Sequence, residues 1–206
     1  MARPMTRRAA EGAPGALIGP NAVTRLAEAL LEMEGEGVSA AIFDAAGQER
    51  HLTEPPAAMV PEDDVARLHL ALHDALGPWR AAEIAWRAGE LTAAYLLVHR
   101  IPGPAQFLLR LLPSRLAARI MAGAIARHAW TFAGSGRFSW RLEKALTLTV
   151  KGGPVARLLT TEEPACHYYA ATFEGVFAAV LGGSVSVHET ACEASGAEAC
   201  VFELRW

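Results

Sequence analysis

Hydrophobic residues recur at intervals of three and four along the first two thirds of the chain, which is the spacing of one face of an α-helix. Glycine and proline residues break this pattern and divide the region into separate helices. The predicted helices run from about Asn21 to Gly35, from Pro61 to Leu76, from Trp79 to about His99 and from Pro113 to about Phe132. Residues 38–43 form either a short strand or a further helical turn, and residues 44–61 form a surface loop.

The period changes after Gly134-Ser135-Gly136, where apolar and polar residues begin to alternate as they do in β-strands. Helices first and a strand-rich region afterwards predict an α+β fold. The later elements are strands around residues 138–140 and 146–150 with a turn at Lys151-Gly152-Gly153, a helix over residues 164–181, and a closing hairpin of residues 184–188 and 199–206 that turns through residues 193–196.

The length of 206 residues favours one domain, which we place at residues 17–206 behind a flexible tail of residues 1–16. A hydrophobic fraction of 52% predicts a large interior, a ligand cavity or a partner surface. The net charge of −3 disfavours nucleic acid as a partner. No apolar run approaches the roughly 18 residues of a transmembrane helix, and no secretory signal is evident. We therefore expect a cytoplasmic protein, at most peripheral to a membrane.

The three cysteines, Cys166, Cys192 and Cys200, lie near the end of the chain together with Glu189. Three thiolates and a carboxylate could complete a closed tetrahedral metal site, of the kind that zinc occupies in a structural role. The alternative is that the cysteines are small buried apolar residues. Strict strand geometry puts Glu189 and Cys192 on opposite faces, so joint ligation requires a bulge or turn around Thr190 and Ala191.

The tract that contains these residues resembles the 4-vinyl reductase domain. The resemblance rests on Cys166-His167-Tyr168-Tyr169, Phe173-Glu174-Gly175-Val176-Phe177, Val187-His188-Glu189-Thr190-Ala191-Cys192, Gly196 and Cys200-Val201-Phe202. It implies a structural zinc on Cys166, Glu189, Cys192 and Cys200 that staples residues 164–206. It also implies a fold related to vesicle-tethering transport subunits, in which a helical layer on a twisted antiparallel sheet encloses an apolar pocket, and a homodimer.

The same resemblance implies a place in bacteriochlorophyll biosynthesis, where a vinyl group of a tetrapyrrole is reduced. Reduction needs a hydride donor, but the string Gly35-Glu36-Gly37-Val38-Ser39-Ala40 follows a helix, which is the wrong context for dinucleotide binding, and ferredoxin cysteine spacing is absent. No nucleotide cofactor site is predicted. We therefore expect a carrier or accessory protein for divinyl protochlorophyllide or chlorophyllide, with other enzymes of the pathway as candidate partners. The alternatives are the reductase itself and a sensor or scaffold for an aromatic effector.

A flat tetrapyrrole needs apolar walls and, for its magnesium, one imidazole. His128 follows Leu116, Ile120 and Ala124 at intervals of four and is the first candidate ligand, beside Trp130. His99, near Tyr95, is the second. The remaining wall candidates are Phe132 and Trp140. Each of these residues could equally be ordinary core or a helix terminus.

Two further groups of polar residues have a functional and a structural interpretation. Arg110, Arg115 and Arg119 could pair with a pigment propionate, although a solvated helix face is favoured. His69 and His73, one helical turn apart, could form a metal pair, although a half-exposed helix face is favoured.

Overall fold

The computed structural model describes residues 15–206. The helices are α1 (Asn21–Ala45), α2 (Arg50–Thr53), α3 (Glu62–His99), α4 (Gly103–Arg110), α5 (Ser114–Arg127), α6 (Trp130–Ala133) and α7 (His167–Leu181). The strands are β1 (Leu17–Ile18), β2 (Val60–Pro61), β3 (Arg137–Leu142), β4 (Leu146–Lys151), β5 (Ser186–Ala191) and β6 (Cys200–Arg205). The predicted tail lies outside these residues except for residues 15 and 16.

Glycine kinks divide the two long helices close to the predicted breaks. At Gly35, φ is 78° and ψ 179°, and the helix resumes afterwards, so residues 38–43 are the helical continuation and not a strand. Gly77, with φ 74° and ψ 169°, precedes Pro78 and divides α3 where the sequence predicts two helices. Positive φ values of this kind are accessible to glycine at little cost, which explains why the chain bends at these positions.

Two helices were not predicted from the sequence. α2 lies inside the stretch that was expected to be a loop, and α4 follows Pro102, where the sequence analysis ended a helix and did not begin another. A proline at the first helical turn is well tolerated, so Pro104 fits inside α4. The pattern around residues 102–104 therefore marks a corner between two helices.

The main sheet is antiparallel, with strand order β3-β4-β6-β5. The predicted turn at Lys151-Gly152-Gly153 is wrong, because Leu142 pairs with Leu146 and the β3–β4 hairpin turns through residues 143–145. Lys151 instead pairs with Arg137 at the open end of that hairpin. The closing β5–β6 hairpin is confirmed. β1 and β2 form a separate two-stranded ladder.

α7 packs against α3 on one side and approaches β5, so it forms the centre of the interior. The inward residues of β4 and β6 alternate as predicted, and those that the core contains are Leu146, Leu148, Val150, Phe202 and Leu204. α3 and α7 come very close at Gly89, where an added Cβ would lie 2.5 Å from the carbonyl oxygen of Tyr168. A helical layer on an antiparallel sheet confirms the predicted α+β class.

A buried ion pair ties the start of α3 to the segment after β4. Glu62, 2% exposed, accepts hydrogen bonds from the backbone N–H of Ser135 (2.8 Å), from the Ser135 hydroxyl (2.6 Å) and from Arg157 (2.8 Å). Burial by itself raises the pKa of the Glu62 carboxyl, but the bonds from Arg157 and Ser135 outweigh it and hold the pKa below its ordinary value.

Among residues 15–206, no helix combines the length and the apolar character needed to cross a bilayer.

Candidate metal centre

Cys166, Glu189, Cys192 and Cys200 converge at one end of the sheet, as the sequence predicts. The Sγ–Sγ distances are 3.3 Å between Cys166 and Cys200, 3.8 Å between Cys192 and Cys200, and 3.9 Å between Cys166 and Cys192. Sulfur atoms at 2.3 Å from a tetrahedral zinc lie about 3.8 Å apart. The three thiols are therefore already spaced as the ligands of one ion, and they are much too far apart for a disulfide, whose S–S bond is about 2.05 Å.

Three local features bring these side chains together. Cys166 precedes α7, and its carbonyl oxygen accepts from the backbone N–H of Tyr169 and of Ala170 at the start of that helix. The register between β5 and β6 shifts between Glu189 and Ala191, so the strand has a bulge at the predicted position. This irregularity lets Glu189 and Cys192 reach the same site in spite of strand alternation.

A short 3₁₀ turn, Glu193–Ser195, connects the last two ligands. The backbone N–H of Ala197 donates to the carbonyl oxygen of Cys192 at 3.0 Å, and the N–H of Glu193 donates to the Cys200 sulfur at 3.4 Å. Backbone N–H groups that point at a sulfur stabilise its thiolate.

The electrostatics of the cluster favour a cation. Glu189 Oε2 accepts from the backbone N–H of Cys166 at 2.8 Å, but Glu189 Oε1 is buried and has no partner. Burial and the neighbouring Cys192 raise the pKa of Glu189 to about 8. Hydrogen bonds from Cys166 and Cys200 lower the pKa of Cys192, whereas the contacts with Cys192 and Cys200 and burial raise that of Cys166. Without a cation, therefore, the groups cannot all ionise.

This donor set fits a soft divalent cation. The three cysteines are at most 1% exposed, and the fourth donor comes from the carboxylate that holds the unpartnered oxygen. Four protein ligands fill a tetrahedral shell and leave no position for a substrate. The cluster can consequently hold α7, β5 and β6 together, and it offers no open site for chemistry.

The six predicted pigment residues do not gather in one place. Phe132 lies in an interior aromatic group with edge-to-face contacts to Phe138 and Tyr169. Trp140, half-buried on β3, has the Arg119 guanidinium 5.9 Å from its ring centroid. The exposed His99 packs on Tyr95 with ring centroids 4.6 Å apart, at the far end of α3. Trp130 is 58% exposed.

The predicted apolar stripe of α5 faces outward. Leu116 and Ile120 are each 45% exposed, whereas the inward positions are Ala117, Ala118, Met121 and Ala122. α5 approaches α7, and small inward residues let two helices lie close together, so alanines fill this contact better than leucines would. The regular spacing of large apolar residues misled the sequence analysis because the true inward face is made of small ones.

His128 is exposed on the same side and has a defined tautomer. Its Nδ1 lies 3.0 Å from the carbonyl oxygen of Ala124, and a carbonyl only accepts hydrogen bonds. Nδ1 therefore carries the proton, which leaves the lone pair of Nε2 available to a metal.

His69 was expected on a half-exposed face but is fully buried, and neither of its ring nitrogens has a hydrogen-bond partner. Burial, with a smaller contribution from His73, lowers the pKa of His69 to about 3. The sequence pattern missed this because histidine falls on the inward face between Val65, Leu68 and Leu72.

Two surface concavities, of about 610 and 550 Å³, lie elsewhere. The first is bordered mainly by charged residues of α1 and α3, with Trp86 and His167 at its wall, and the second by Arg115, Lys144, Glu203, Arg205 and Trp206 among others. Neither includes any of the six predicted pigment residues. The first set could not be found from sequence spacing because three separate helices contribute to it.

Comparison with known proteins agrees with the cysteine tract. A family model described as the "V-4-R domain" matches residues 146–206. The chain is 42% identical over 187 residues to "Bacteriochlorophyll synthase 23 kDa chain" of Cereibacter sphaeroides (strain ATCC 17023), covering 91% of this chain and 89% of that protein. The protein of the same name from Rhodobacter capsulatus is 36% identical over 188 residues, covering 91% and 86%.

The solved structures that resemble this one include an H-NOX protein from K. algicida. The TM-score is 0.57 at 12% sequence identity, over 91% of this chain and 96% of that one. At this identity the likeness shows the fold alone.

Proposed function

The chain belongs to the V-4-R domain family, and we propose that it serves bacteriochlorophyll biosynthesis by binding a tetrapyrrole intermediate of the divinyl protochlorophyllide or chlorophyllide type. The observation that carries this proposal is the 42% identity over 91% of the chain to a protein named as a bacteriochlorophyll synthase chain. Identity at this level, spread over nearly the whole length, favours a shared role as well as a shared fold.

His128 is the residue best prepared to hold such a pigment. Its exposed Nε2 is kept unprotonated by the Nδ1 contact to the Ala124 carbonyl, as an axial ligand to a ring-bound magnesium must be. Trp130, 58% exposed and two residues on, supplies an apolar plate beside it. His99 has no comparable contact that fixes its tautomer, and its ring packs against Tyr95. We therefore rank His128 above His99.

We assign the thiol and carboxylate cluster to a structural zinc, which supplies fold stability and no chemistry. Cys166 anchors the start of α7, while Glu189, Cys192 and Cys200 anchor the two terminal strands. A closed four-ligand shell leaves the ion no role in reducing a vinyl group.

In this proposal the protein presents the pigment to an enzyme that supplies the reducing power. Because every thiol of the chain belongs to the metal cluster, no cysteine remains for redox chemistry. We also propose a homodimer, as the family resemblance implies; sedimentation equilibrium at several protein concentrations tests it directly.

The test is an absorption titration of purified, metal-loaded protein with divinyl protochlorophyllide, with and without NADPH. We expect a shifted Soret band that saturates with pigment and no loss of the vinyl group in either condition. Turnover with NADPH alone would replace carriage with catalysis. The absence of any spectral change would refute pigment binding.

The variants His128→Ala and His99→Ala separate the two candidate ligands. Both residues are exposed and near helix ends, so neither change should unfold the chain. We expect His128→Ala to weaken pigment binding about tenfold or more, equivalent to at least ~1.4 kcal/mol, and His99→Ala to leave it unchanged. The opposite result would move the pigment to the end of α3.

A further inference from the structure

Charge is strongly segregated along the chain. Between Glu90 and Glu143 the sequence contains seven arginines and no aspartate, glutamate or lysine, although the whole chain has a net charge of −3. The seven are Arg100, Arg110, Arg115, Arg119, Arg127, Arg137 and Arg141. This stretch includes α4 and α5 completely, so one part of an acidic protein carries a concentrated positive field.

The same two helices expose large apolar side chains. α4 and α5 both pack against α7, so their outward surfaces lie on the same side of the molecule. The exposed residues are Phe107 (61%), Leu108 (61%), Leu111 (67%), Leu116 (45%) and Ile120 (45%). We call these five, together with Arg110, Arg115, Arg119 and Arg127, the arginine–leucine face.

The arginines and the apolar residues are interleaved. On α5, residues 115, 116, 119, 120 and 127 all fall within less than half of the helical circumference, at 100° per residue. The opposite side of α5 carries the buried alanines. A helix with its small residues inward and leucine, isoleucine and arginine outward has the pattern of an interfacial helix.

The arginines of this face retain their charge. Among residues 15–206, no ion pair joins a carboxylate to Arg110, Arg115, Arg119 or Arg127. Arg110 donates to the carbonyl oxygen of Ala179 at 2.5 Å, and Arg115 donates to that of Glu143. These carbonyl contacts orient the guanidinium groups without neutralising them. The arginines of α3, by contrast, pair with glutamates, as Arg80 does with Glu83 and Arg87 with Glu90.

We propose that the arginine–leucine face docks on a lipid bilayer that carries anionic headgroups. The arginines would bind lipid phosphates, and the five apolar side chains would enter the boundary between headgroups and acyl chains. A second copy of the chain fits this face poorly, because a two-fold interface would bring two sets of unpaired arginines together. Nucleic acid offers phosphates but no hydrocarbon layer for Phe107, Leu108 and Leu111. This inference does not depend on the proposed pigment binding.

Vesicle flotation with the full-length, metal-loaded protein tests the proposal without pigment. We expect the protein to float with vesicles of phosphatidylcholine and phosphatidylglycerol at low salt. It should remain at the bottom with vesicles of phosphatidylcholine alone, and high salt should release it. Equal partition onto both kinds of vesicle, or none onto either, would overturn the proposal.

Paired variants separate charge from apolar insertion. Each basic residue near an anionic surface contributes roughly fivefold to partition, so Arg115→Gln with Arg119→Gln should weaken binding about 25-fold. Leu116→Ser with Ile120→Ser should weaken it on the same vesicles by at least about tenfold. The matched controls are Arg50→Gln with Arg67→Gln, which remove the same charge from α2 and α3, and Leu17→Ser with Leu31→Ser.

The controls should bind as the unchanged protein does, and all variants should keep its melting temperature. If the control arginine pair weakens flotation as much as the α5 pair, net charge and not this face governs binding, and the proposal fails. If the Leu116→Ser, Ile120→Ser variant instead splits a dimer in sedimentation and leaves flotation unchanged, the face is an interface between copies, which also refutes it.

Discussion

Glu62 and Glu189 are two largely buried glutamates that tie distant segments together, but only one is complete by itself. Both oxygens of Glu62 accept hydrogen bonds, from Ser135 and from Arg157. Glu189 has one bond, to the backbone N–H of Cys166, and its second oxygen is buried without a partner. The pKa of Glu62 is lowered, and that of Glu189 is raised to about 8.

The contrast shows how a buried carboxylate indicates an absent cation. Arg157, with its side chain only 5% exposed, supplies the positive charge that Glu62 needs. At Glu189 the nearest ionisable groups are thiols, which add negative charge when they ionise. A buried charge without a counterion is costly, so the second site requires a cation from outside the chain. The predictions below test that difference.

The largest effect is expected for Cys200→Ser. Losing one of three thiolates should release the metal and lower the free energy of unfolding by about 4 kcal/mol or more, as loss of a structural ion does. For a chain of this length, that corresponds to a fall in melting temperature of roughly 10 °C. Elemental analysis and thermal unfolding, run on the same samples, check both outcomes.

The matched control for this change is Ala191→Ser, which adds a hydroxyl beside the cluster without touching a ligand. It should keep the metal content and change stability by less than ~1 kcal/mol. A metal-free wild type, purified without chelators, would contradict the assignment of the cluster.

Glu62→Gln should have the next largest effect. Removing one charge of a buried pair leaves Arg157 without its partner and should cost about 3 kcal/mol. Metal content should not change, because the ion pair and the thiol cluster share no residue. Asp63→Asn is the control: Asp63 also lies 3.0 Å from Arg157, but it is 59% exposed, so its removal should cost less than ~1 kcal/mol.

The same pair predicts a pH dependence with a definite sign. Because the folded-state pKa of Glu62 is lowered, its contribution is fully present above the ordinary carboxyl pKa of 4.5 and is lost as the pH falls below that value. Chemical unfolding of wild type and Glu62→Gln at neutral pH and below pH 4.5 should show the two stabilities converging. A constant difference would refute the linkage.

The sequence predicted the metal centre better than it predicted the surroundings of the helices. Soft ligands are few, and the four residues needed only a bulge near Thr190 to meet, which strand alternation itself required. The orientation of α5 was wrong because its inward residues are alanines, which carry little weight in a hydrophobic pattern. The Glu62–Arg157 pair spans 95 residues, a distance at which spacing along the chain carries no information.

His69 provides an intermediate case between the two glutamates. It is fully buried without partners, but it needs no ion because its neutral form is stable there. Its folded-state pKa of about 3 lies below the ordinary 6.5, so its contribution is full above pH 6.5 and is lost as the pH falls. Between pH 7 and 5 the loss should reach about 2 kcal/mol.

His69→Leu should remove most of that slope, and the remainder should come from the partly buried His73, whose pKa is also lowered. His99→Leu, on the exposed end of the same helix, should keep the slope of the unchanged protein. Urea unfolding at pH 7 and pH 5 measures it. An undiminished slope in His69→Leu would mean that another group governs the acid response.

The smallest effect, and the sharpest test of the comparison, is Glu189→Gln in metal-free protein. With the ion bound, loss of a charged ligand should weaken metal affinity at least tenfold, as metal-competition titration would show. In excess chelator the same change should alter the free energy of unfolding by less than ~1 kcal/mol, because the amide replaces a carboxyl whose second oxygen had no partner. Glu62→Gln should cost the same with and without chelator. If Glu189→Gln also destabilises the chelated protein as strongly as Glu62→Gln does, then Glu189 has a partner within the chain, and the two sites differ less than their hydrogen bonds indicate.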